Sequence, residues 1–287
     1  MKSFLSAAAS VFAVSAAFAM GVVAVAGVPQ AALPAEQIKL AAQSIEAKAA
    51  LIYDPVNGRV LYQKNAMEPL PLASLAKLMT AQAVLAERSE DAYVPITRES
   101  LRSEGDSGLR PGEKLTISQL IDLALVASSN DAASAAAATL SEGAVSLNNA
   151  AERLALTKTR FLNPTGLDMG DSSAGAWGSA YDMARLAAAF YKNYPEYFEQ
   201  TALGTVTVKA AGRTIVEDAT TVPLQDVPGL IGAKTGYTDM AGGNLVAIFD
   251  LEVGKPVVAV VLGSSREGRF KDIRTLIAAV QKNYGKF

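Results

Sequence analysis

Histidine and cysteine are both absent from the 287 residues of this chain. Without cysteine the chain can form no disulfide, no thiolate metal site and no cysteine nucleophile. Without histidine it can form neither a Ser-His-Asp triad nor a histidine-ligated zinc site. If the chain catalyses a proton transfer, the base must therefore be a lysine, an aspartate, a glutamate or a tyrosine.

Charge is also sparse, since charged residues make up 19% of the chain and the formal net charge is −2. No long basic run occurs, so we expect no nucleic-acid partner. Half of the residues are apolar. A chain of this length and composition predicts one compact domain, or two lobes that share a core.

The N-terminal sequence combines an early lysine with a long apolar run at 4–28. Such a pattern is typical of an export signal, and small residues at 17–19 and 24–27 favour its cleavage. The run is also long enough to remain as an uncleaved membrane anchor. We therefore predict a signal peptide or anchor at 1–28, a connector at 29–47, and a location in the periplasm or the extracytoplasmic envelope.

Two stretches near opposite ends of the chain predict β-hairpins, because branched and aromatic residues flank a turn in each. They are AALIYDPVNGRVLYQKN at 49–65 and NLVAIFDLEVGKPVVAVVLGSS at 244–265. The pattern between them is mostly helical, at 73–88, 116–140, 146–157 and 179–193. We predict a two-lobed α/β (α+β) fold: an antiparallel sheet from the N- and C-terminal hairpins flanked by helices, plus a helical lobe. That lobe is expected at roughly 70–205 of a domain spanning 48–287, with a site in the cleft between the lobes.

The last segment, KDIRTLIAAVQKNYGKF, also has a helical pattern. Its apolar residues share one face: Ile273, Leu276, Ile277, Val280 and Tyr284. This face predicts packing on the core, and a membrane-surface helix is the alternative, disfavoured by a polar face that is short and weakly basic.

PLASLAKLMTA at 71–81 places Ser74 and Lys77 on one helical face, where hydroxyl and amine can meet. A helix N-terminus favours negative charge that develops nearby. Burial lowers the pKa of a lysine, which leaves a neutral amine able to act as a base. A helix cap followed by a snorkelling side chain is the alternative, since this spacing also arises by chance.

LALVASSNDAASAAAATL at 123–140 places four polar residues, Ser128 to Asp131, inside an apolar helical stretch. Serine and asparagine compete for backbone hydrogen bonds, so this run predicts a break. The break is either a connector between helices or a turn that directs Ser128 and Asn130 into the cleft. In the second case they could relay a proton and hold an amide.

GLIGAKTGYTDMAGGNLVAI at 229–248 carries Lys234, Thr235 and Gly236 on a strand-like stretch. A lysine and a threonine can hold a carboxylate, while glycine lets a ligand backbone approach the strand closely. The alternative is a turn before a strand. This tripeptide is much rarer by chance than Ser-x-x-Lys.

The order Ser-x-x-Lys, Ser-x-Asn and Lys-Thr-Gly resembles the pattern of penicillin-recognising serine acyltransferases. From about Ala49 onward the chain resembles the low-molecular-mass penicillin-binding proteins, the serine D-alanyl-D-alanine carboxypeptidases of peptidase family S11, with their endopeptidase relatives. The stretches LRPGEKLTISQLIDLALVASSNDAA, TKTRFLNPTGLD and KTGYTDMAGGNLVA extend the resemblance. It implies the fold shared by β-lactamases and DD-peptidases, without metal or cofactor. It also implies a penicillin-sensitive carboxypeptidase that acts on peptidoglycan stem peptides.

The resemblance implies a role for each motif residue. Ser74 would be the nucleophile and Lys77 its base, while Ser128 would relay a proton and Asn130 would hold the substrate amide. The terminal carboxylate of the substrate would be read by Lys234 and Thr235, while Gly236 would let the substrate backbone approach the strand closely.

The backbone N–H groups of Ser74 and Tyr237 would form an oxyanion hole. The stretch SREGRF resembles a segment whose arginine anchors the same carboxylate, with Arg269 as the match and Arg266 as the competitor. β-Lactams would be covalent inhibitors.

Two departures from the family pattern bear on function. Ser129 stands where glycine or glutamate is common, and we expect this middle position to be exposed. The chain ends after the last helix, as in the endopeptidase relatives, so carboxypeptidase action on stem peptides and cleavage of crosslinks both remain open.

Two other functions fit part of the sequence. A class A β-lactamase would carry Ser-Asp-Asn and a glutamate that activates water, but Glu142, Glu152 and Glu196 lie in no resembling context. A non-catalytic wall-binding protein would keep the fold without the chemistry, whereas all three motifs here are intact.

Overall fold

The computed structural model describes residues 45–105 and 108–283. Its largest sheet has five strands in the order β10-β11-β12-β1-β2, and every neighbouring pair is antiparallel. These strands are β1 (Ala49–Asp54), β2 (Arg59–Lys64), β10 (Leu230–Thr238), β11 (Gly242–Asp250) and β12 (Pro256–Ser264). The predicted antiparallel sheet from the two ends of the chain is therefore confirmed.

The remaining strands pair in smaller antiparallel sheets. They are β3 (Leu70–Pro71), β4 (Tyr93–Pro95), β5 (Lys114–Thr116), β6 (Arg160–Phe161), β7 (Ala176–Gly178), β8 (Thr205–Ala210) and β9 (Arg213–Asp218). The helices of the described residues are α1 (Ala76–Glu87), α2 (Ile117–Val126), α3 (Asn130–Ala137), α4 (Ala144–Arg153), α5 (Ala180–Asn193), α6 (Pro195–Gln200) and α7 (Gly268–Asn283).

Both faces of the five-stranded sheet are buried, because alternate residues along a strand point to opposite sides. On β1, for example, Leu51 and Ile52 belong to two separate hydrophobic clusters. Helix α5 packs on one face, whereas α7 packs on the other. The predicted apolar face of α7 is buried at Ile273, Leu276, Ile277 and Val280, while Tyr284 lies outside the described residues.

Helix α1 is the centre of the helical part of the chain, since it packs against α2, α3, α4 and α5. Every residue from Ala76 to Leu85 is buried as a consequence. Because neighbouring helices surround α1, a charged side chain on this helix cannot extend to solvent. Lys77, in the first turn of α1, is therefore completely buried.

The stretch expected to be helical at 116–140 forms two helices, α2 and α3, and the predicted break at its polar run is confirmed. Thr116 starts α2 with a capping box, in which its side chain and that of Gln119 each bond the other's backbone N–H. The hairpin of β8 and β9 was not predicted at all. The boundaries proposed for the lobes and the connector remain a prediction.

Candidate active site

Ser74 lies in a 3-10 turn, Ala73–Leu75, directly before α1. Its neighbours Ala73 and Leu75 are buried, whereas Ser74 itself is half-buried and accessible. Ala73 has a φ of +48°, a conformation that residues other than glycine rarely adopt. Such strain persists only where surrounding structure holds it, and it is concentrated at functional sites.

Lys77 connects Ser74 to two other segments. Its Nζ donates to Ser74 Oγ at 2.7 Å, to Asn130 Oδ1 at 2.7 Å and to the backbone oxygen of Thr165 at 3.2 Å. Burial lowers the pKa of Lys77 to about 7. Near neutral pH a substantial fraction is therefore the neutral amine, whose lone pair can accept the proton of the Ser74 hydroxyl.

The break between α2 and α3 brings the second motif to the same place. Ser128 has a φ of +60°, and its Oγ accepts a hydrogen bond from Lys234 Nζ at 2.8 Å. Asn130 holds Lys77 through its Oδ1, and its Nδ2 donates to the Glu104 oxygen at 2.5 Å. The break is thus a connector between helices that also directs both side chains toward the buried lysines.

Ser129, the middle residue of this motif, is buried at 5% exposure, so the expectation that it is exposed is wrong. Its hydroxyl accepts a hydrogen bond from the backbone N–H of Ala132 at 3.0 Å and caps the N-terminus of α3. A serine at this position satisfies a helix N–H that would otherwise have no intrahelical partner.

Strand β10 carries the third motif along one side of the Ser74 turn. Lys234 is fully buried and Thr235 is 3% exposed. Besides Ser128, Lys234 Nζ contacts the Thr235 oxygen at 3.0 Å. Burial, and after it the positive charges of Lys77 and Arg269, hold the pKa of Lys234 well below its usual range. An anion placed here would relieve this repulsion.

Gly236 explains why β10 can lie so close to the nucleophile. A Cβ at this position would be 2.9 Å from the Leu72 oxygen and 3.1 Å from the Ser74 nitrogen. From the sequence, this glycine was expected to let a ligand approach the strand closely. The structure shows instead that the closest neighbour of its Cβ position is the protein's own backbone, which sets the Ser74 N–H beside β10.

The two candidate arginines occupy different positions. Arg269 is buried, and its Nη1 donates to the Gly236 oxygen at 2.8 Å. Arg266 is exposed and lies over the ring of Tyr237, with its Cζ 4.8 Å from the ring centroid. Both guanidinium groups are therefore close to the end of β10, and the choice between them remains open.

The structure forms two hydrogen-bonded groups of site side chains: Lys77 with Ser74 and Asn130, and Lys234 with Ser128. The two groups are near each other, because the charge of Lys77 acts on Lys234. Sequence reasoning missed Thr165 and Glu104, whose backbone oxygens accept from Lys77 and Asn130, and Thr220, whose Oγ1 lies 2.7 Å from Thr235 Oγ1. The stretch TKTRFLNPTGLD, quoted above for its resemblance, contains Thr165 and was the available signal for it. The other two have no local motif.

Several known proteins are similar to this chain in sequence. The sequence model of the D-alanyl-D-alanine carboxypeptidase family, Peptidase S11, matches residues 36–266. D-alanyl-D-alanine carboxypeptidase DacF of Bacillus subtilis is 32% identical over 240 residues, which cover 77% of this chain and 58% of DacF. A D-alanyl-D-alanine endopeptidase of Pseudomonas aeruginosa is 32% identical over 228 residues, covering 76% of this chain and 70% of the relative.

A solved structure is similar over most of the chain. Penicillin-binding protein D2 of Listeria monocytogenes, in its ampicillin-bound form, superimposes with a TM-score of 0.72 at 31% identity. The similarity covers 84% of this chain and 98% of that protein. The predicted α+β fold is thereby confirmed. The chain spans less than two thirds of the length of DacF.

Proposed function

Because the chain belongs to the D-alanyl-D-alanine carboxypeptidase family, peptidase S11, we propose that it is a serine-type carboxypeptidase. Its substrates are peptidoglycan stem peptides, from which it removes the terminal D-alanine through an acyl-enzyme on Ser74. The observation that carries the proposal is the 2.7 Å contact between Ser74 Oγ and the Nζ of a completely buried Lys77. In a chain without histidine, this pair supplies both a nucleophile and a base.

Acylation begins when Ser74 Oγ attacks the carbonyl carbon of the penultimate D-alanine and its proton passes to Lys77 Nζ. The carbonyl oxygen becomes an oxyanion, stabilised by the backbone N–H groups of Ser74 and Tyr237. One donor of this kind typically contributes about 3–4 kcal/mol to the transition state. The C–N bond then breaks, and the leaving amine of the terminal D-alanine receives, through Ser128, the proton that Lys77 took from Ser74.

Deacylation regenerates the serine. A water molecule attacks the ester carbonyl and gives a proton to Lys77 Nζ, the bond to Ser74 Oγ breaks, and Lys77 returns that proton to the serine oxygen. A β-lactam follows the first step alone, because attack by Ser74 opens the ring amide and the amine remains attached to the acyl group. Penicillin therefore labels the protein covalently.

Recognition of the substrate uses positive charge and hydroxyls at the end of the cleft. Lys234 and Thr235 receive the terminal carboxylate, with an arginine, Arg269 or Arg266, as its further anchor. Asn130 forms a hydrogen bond with the substrate amide. Burial, and after it the charges of Lys77 and Arg269, lower the pKa of Lys234, so an arriving carboxylate stabilises the protonated lysine and binds more tightly in return.

Endopeptidase action on crosslinked peptides is the second candidate. The similarity to the Pseudomonas aeruginosa endopeptidase supports it, since that protein is as similar in sequence as DacF and is covered over a larger share of its length. Both reactions pass through the same acyl-enzyme and differ in the amine that leaves.

We further infer that the protein is exported to the extracytoplasmic envelope, where peptidoglycan is found. The support is the N-terminal lysine and apolar run, which lie outside the described residues. Among the described helices, none is both long and apolar enough to cross a membrane.

Covalent labelling by a fluorescent penicillin tests the nucleophile. The wild-type protein is expected to form an adduct that survives denaturation, and Ser74→Ala is expected to form none. The fold should persist, because Lys77 Nζ keeps the oxygens of Asn130 and Thr165 as acceptors when the Ser74 hydroxyl is removed. Ser141→Ala, an exposed serine before α4, is the matched control and should label normally.

A labelled Ser74→Ala protein would contradict the assignment. Product analysis then separates the two reactions. Incubation with pentapeptide and with crosslinked dimer muropeptides should release D-alanine from the first for a carboxypeptidase, whereas conversion of dimers to monomers would identify an endopeptidase.

A further inference from the structure

Thr220 lies next to the residue proposed to receive the substrate carboxylate, although no motif includes it. It follows β9 in the loop that leads to a 3-10 turn, Val222–Leu224. Thr235 Oγ1 donates to Thr220 Oγ1 at 2.7 Å, an ordinary distance for a hydrogen bond between two hydroxyls. The Thr235 hydroxyl is therefore held by a side chain that lies 15 residues away in sequence.

The loop that carries Thr220 is fastened at three consecutive residues. The Thr220 N–H donates to the Val126 oxygen at 3.0 Å, and the Ala219 N–H donates to the Gly204 oxygen at 2.7 Å. The hydroxyl of Thr221, 1% exposed, donates to the Thr201 oxygen. Since Val126 is the last residue of α2, this arrangement ties the position of Thr220 to the turn that carries Ser128.

The surroundings of the two hydroxyls favour an anion. Lys77, Lys234 and Arg269 are all buried, and the charges of Lys77 and Arg269 act on Lys234. The ion pairs found within the described residues include none of these three. A buried cluster of positive charge that contains no carboxylate partner of its own is complementary to a ligand carboxylate.

We propose that Thr220 is a positioning residue for the terminal carboxylate of the substrate, an inference that rests on the proposed function. In the free protein Thr235 donates its hydrogen to Thr220. When a carboxylate binds, Thr235 turns this hydrogen toward the anion, and Thr220 donates its own hydrogen to Thr235 Oγ1. A hydroxyl can make this exchange because it both donates and accepts.

The exchange explains why a threonine at 220 matters for binding. Donation from Thr220 polarises the Thr235 hydroxyl and strengthens its bond to the carboxylate. It also removes the rotational freedom of that hydroxyl in the bound state. Valine at 220 would keep the shape of the side chain but would leave Thr235 Oγ1 without a donor.

The test compares a penicillin with its methyl ester, which lacks the carboxylate charge. We measure the acylation kinetics of the full-length chain for wild type, Thr220→Val and Thr220→Ser. Thr220→Val should weaken pre-acylation binding of the free acid about fivefold, the usual scale for one hydrogen bond between neutral groups, with little change in the limiting rate. The ester has no carboxylate for the Thr235 hydroxyl to bind. Its acylation rates with the three proteins should therefore agree within about a factor of two.

Comparison among variants separates positioning from a general structural effect. Thr220→Ser keeps the hydroxyl and should retain most of the binding. If Thr220 acts through Thr235, then adding Thr220→Val to Thr235→Val should cause little further loss, because coupled residues are not additive. Thr214→Val, an exposed threonine on β9, is the matched control and should behave as wild type.

The outcomes distinguish this inference from the function on which it rests. Three results would overturn the role of Thr220: an equal loss of binding with acid and ester, fully additive losses with Thr235→Val, or no loss in Thr220→Val. In each case acylation of the wild type would still uphold the enzyme. If the wild type reacts with neither penicillin, the proposed function fails and the inference fails with it.

Discussion

Lys77 and Lys234 are both completely buried, and each hydrogen-bonds a serine hydroxyl, Ser74 in one case and Ser128 in the other. Burial lowers the pKa of both, and the charge of Lys77 lowers that of Lys234 further. A carboxylate that arrives beside Lys234 favours the protonated form of that lysine, whereas burial favours the neutral amine of Lys77, which can act as the base.

Arginine substitutions separate the two roles. Lys77→Arg keeps a cation but supplies no base, because guanidinium does not deprotonate in proteins. Penicillin acylation should fall by about 10²–10⁴, the usual contribution of a general base. Lys234→Arg keeps the charge and should weaken binding while acylation remains measurable. Stopped-flow acylation at saturating and limiting penicillin measures both effects.

The pH profile gives the control for this pair. Neutral Lys77 is the active form and its pKa is about 7, so wild-type acylation should rise with pH through that region and then level off. The rise should disappear in Lys77→Arg. A Lys77→Arg protein as fast as wild type, together with an inactive Lys234→Arg protein, would reverse the two assignments.

Backbone contacts between elements determine the conformation of the Ser74 turn. Gly166 lies against it, and a Cβ there would be 1.8 Å from the Ala73 oxygen and 2.5 Å from the Ala73 carbonyl carbon. Gly236 of β10 approaches from another side. Since Ala73 itself has a positive φ, the turn keeps its strained conformation only while both glycines leave room for it.

Two glycines with nearly the same backbone angle provide a matched test of this packing. Gly166 has a φ of +77° and Gly170 a φ of +79°, but a Cβ at Gly170 would contact nothing within 4 Å. Gly170→Ala should cost about 1–2 kcal/mol of unfolding free energy, for the left-handed conformation alone. Gly166→Ala should cost more and should also slow penicillin acylation, because the alanine must displace the Ser74 turn.

Urea unfolding and acylation rates measure these two effects. Equal losses in both variants, with acylation unchanged, would show that contact with Gly166 does not hold the turn.

At the scale of the whole molecule, a buried carboxyl group links folding to pH. Asp122 of α2 lies near Glu90 and Glu196 of α6, and its buried Oδ1 has no hydrogen-bond partner among the described residues. Burial, followed by the charges of these two glutamates, raises the pKa of Asp122 to about 7. The folded protein therefore holds a proton that the unfolded chain has already lost at mildly acidic pH.

The sign of the stability effect follows from this difference. Below about pH 4, the ordinary range of an aspartate, both states are protonated and the contribution is fully present. It is lost as the pH rises toward about 7, the pKa of Asp122 in the folded protein. Asp122→Asn cannot lose this proton, so its melting temperature should exceed that of wild type increasingly between pH 4.5 and pH 8.

Asp218→Asn, at an exposed position of β9, is the control and should leave the pH dependence of melting unchanged. A constant difference between Asp122→Asn and wild type over the whole range would show that Asp122 does not titrate there.

The sequence by itself determined most of the secondary-structure elements and the motif residues. Periodicity and turn sequences predicted the hairpins of the central sheet, the long helices and the apolar face of α7. Ser74 and Lys77 could be placed together because their spacing is a helical one, and Ser-x-Asn could be recognised as a break. These features depend on interactions between near neighbours in the chain, which spacing alone reveals.

Only the tertiary structure decided which distant groups meet. The bond between Thr220 and Thr235, the contact of the Glu104 oxygen with Asn130, and the burial of Ser129 have no local signal in the sequence. Each depends on how helices and strands pack, since residues far apart in the chain become neighbours only when whole elements are positioned. The same packing encloses α1 on every side, and for that reason Lys77 is buried deeply enough to be a base.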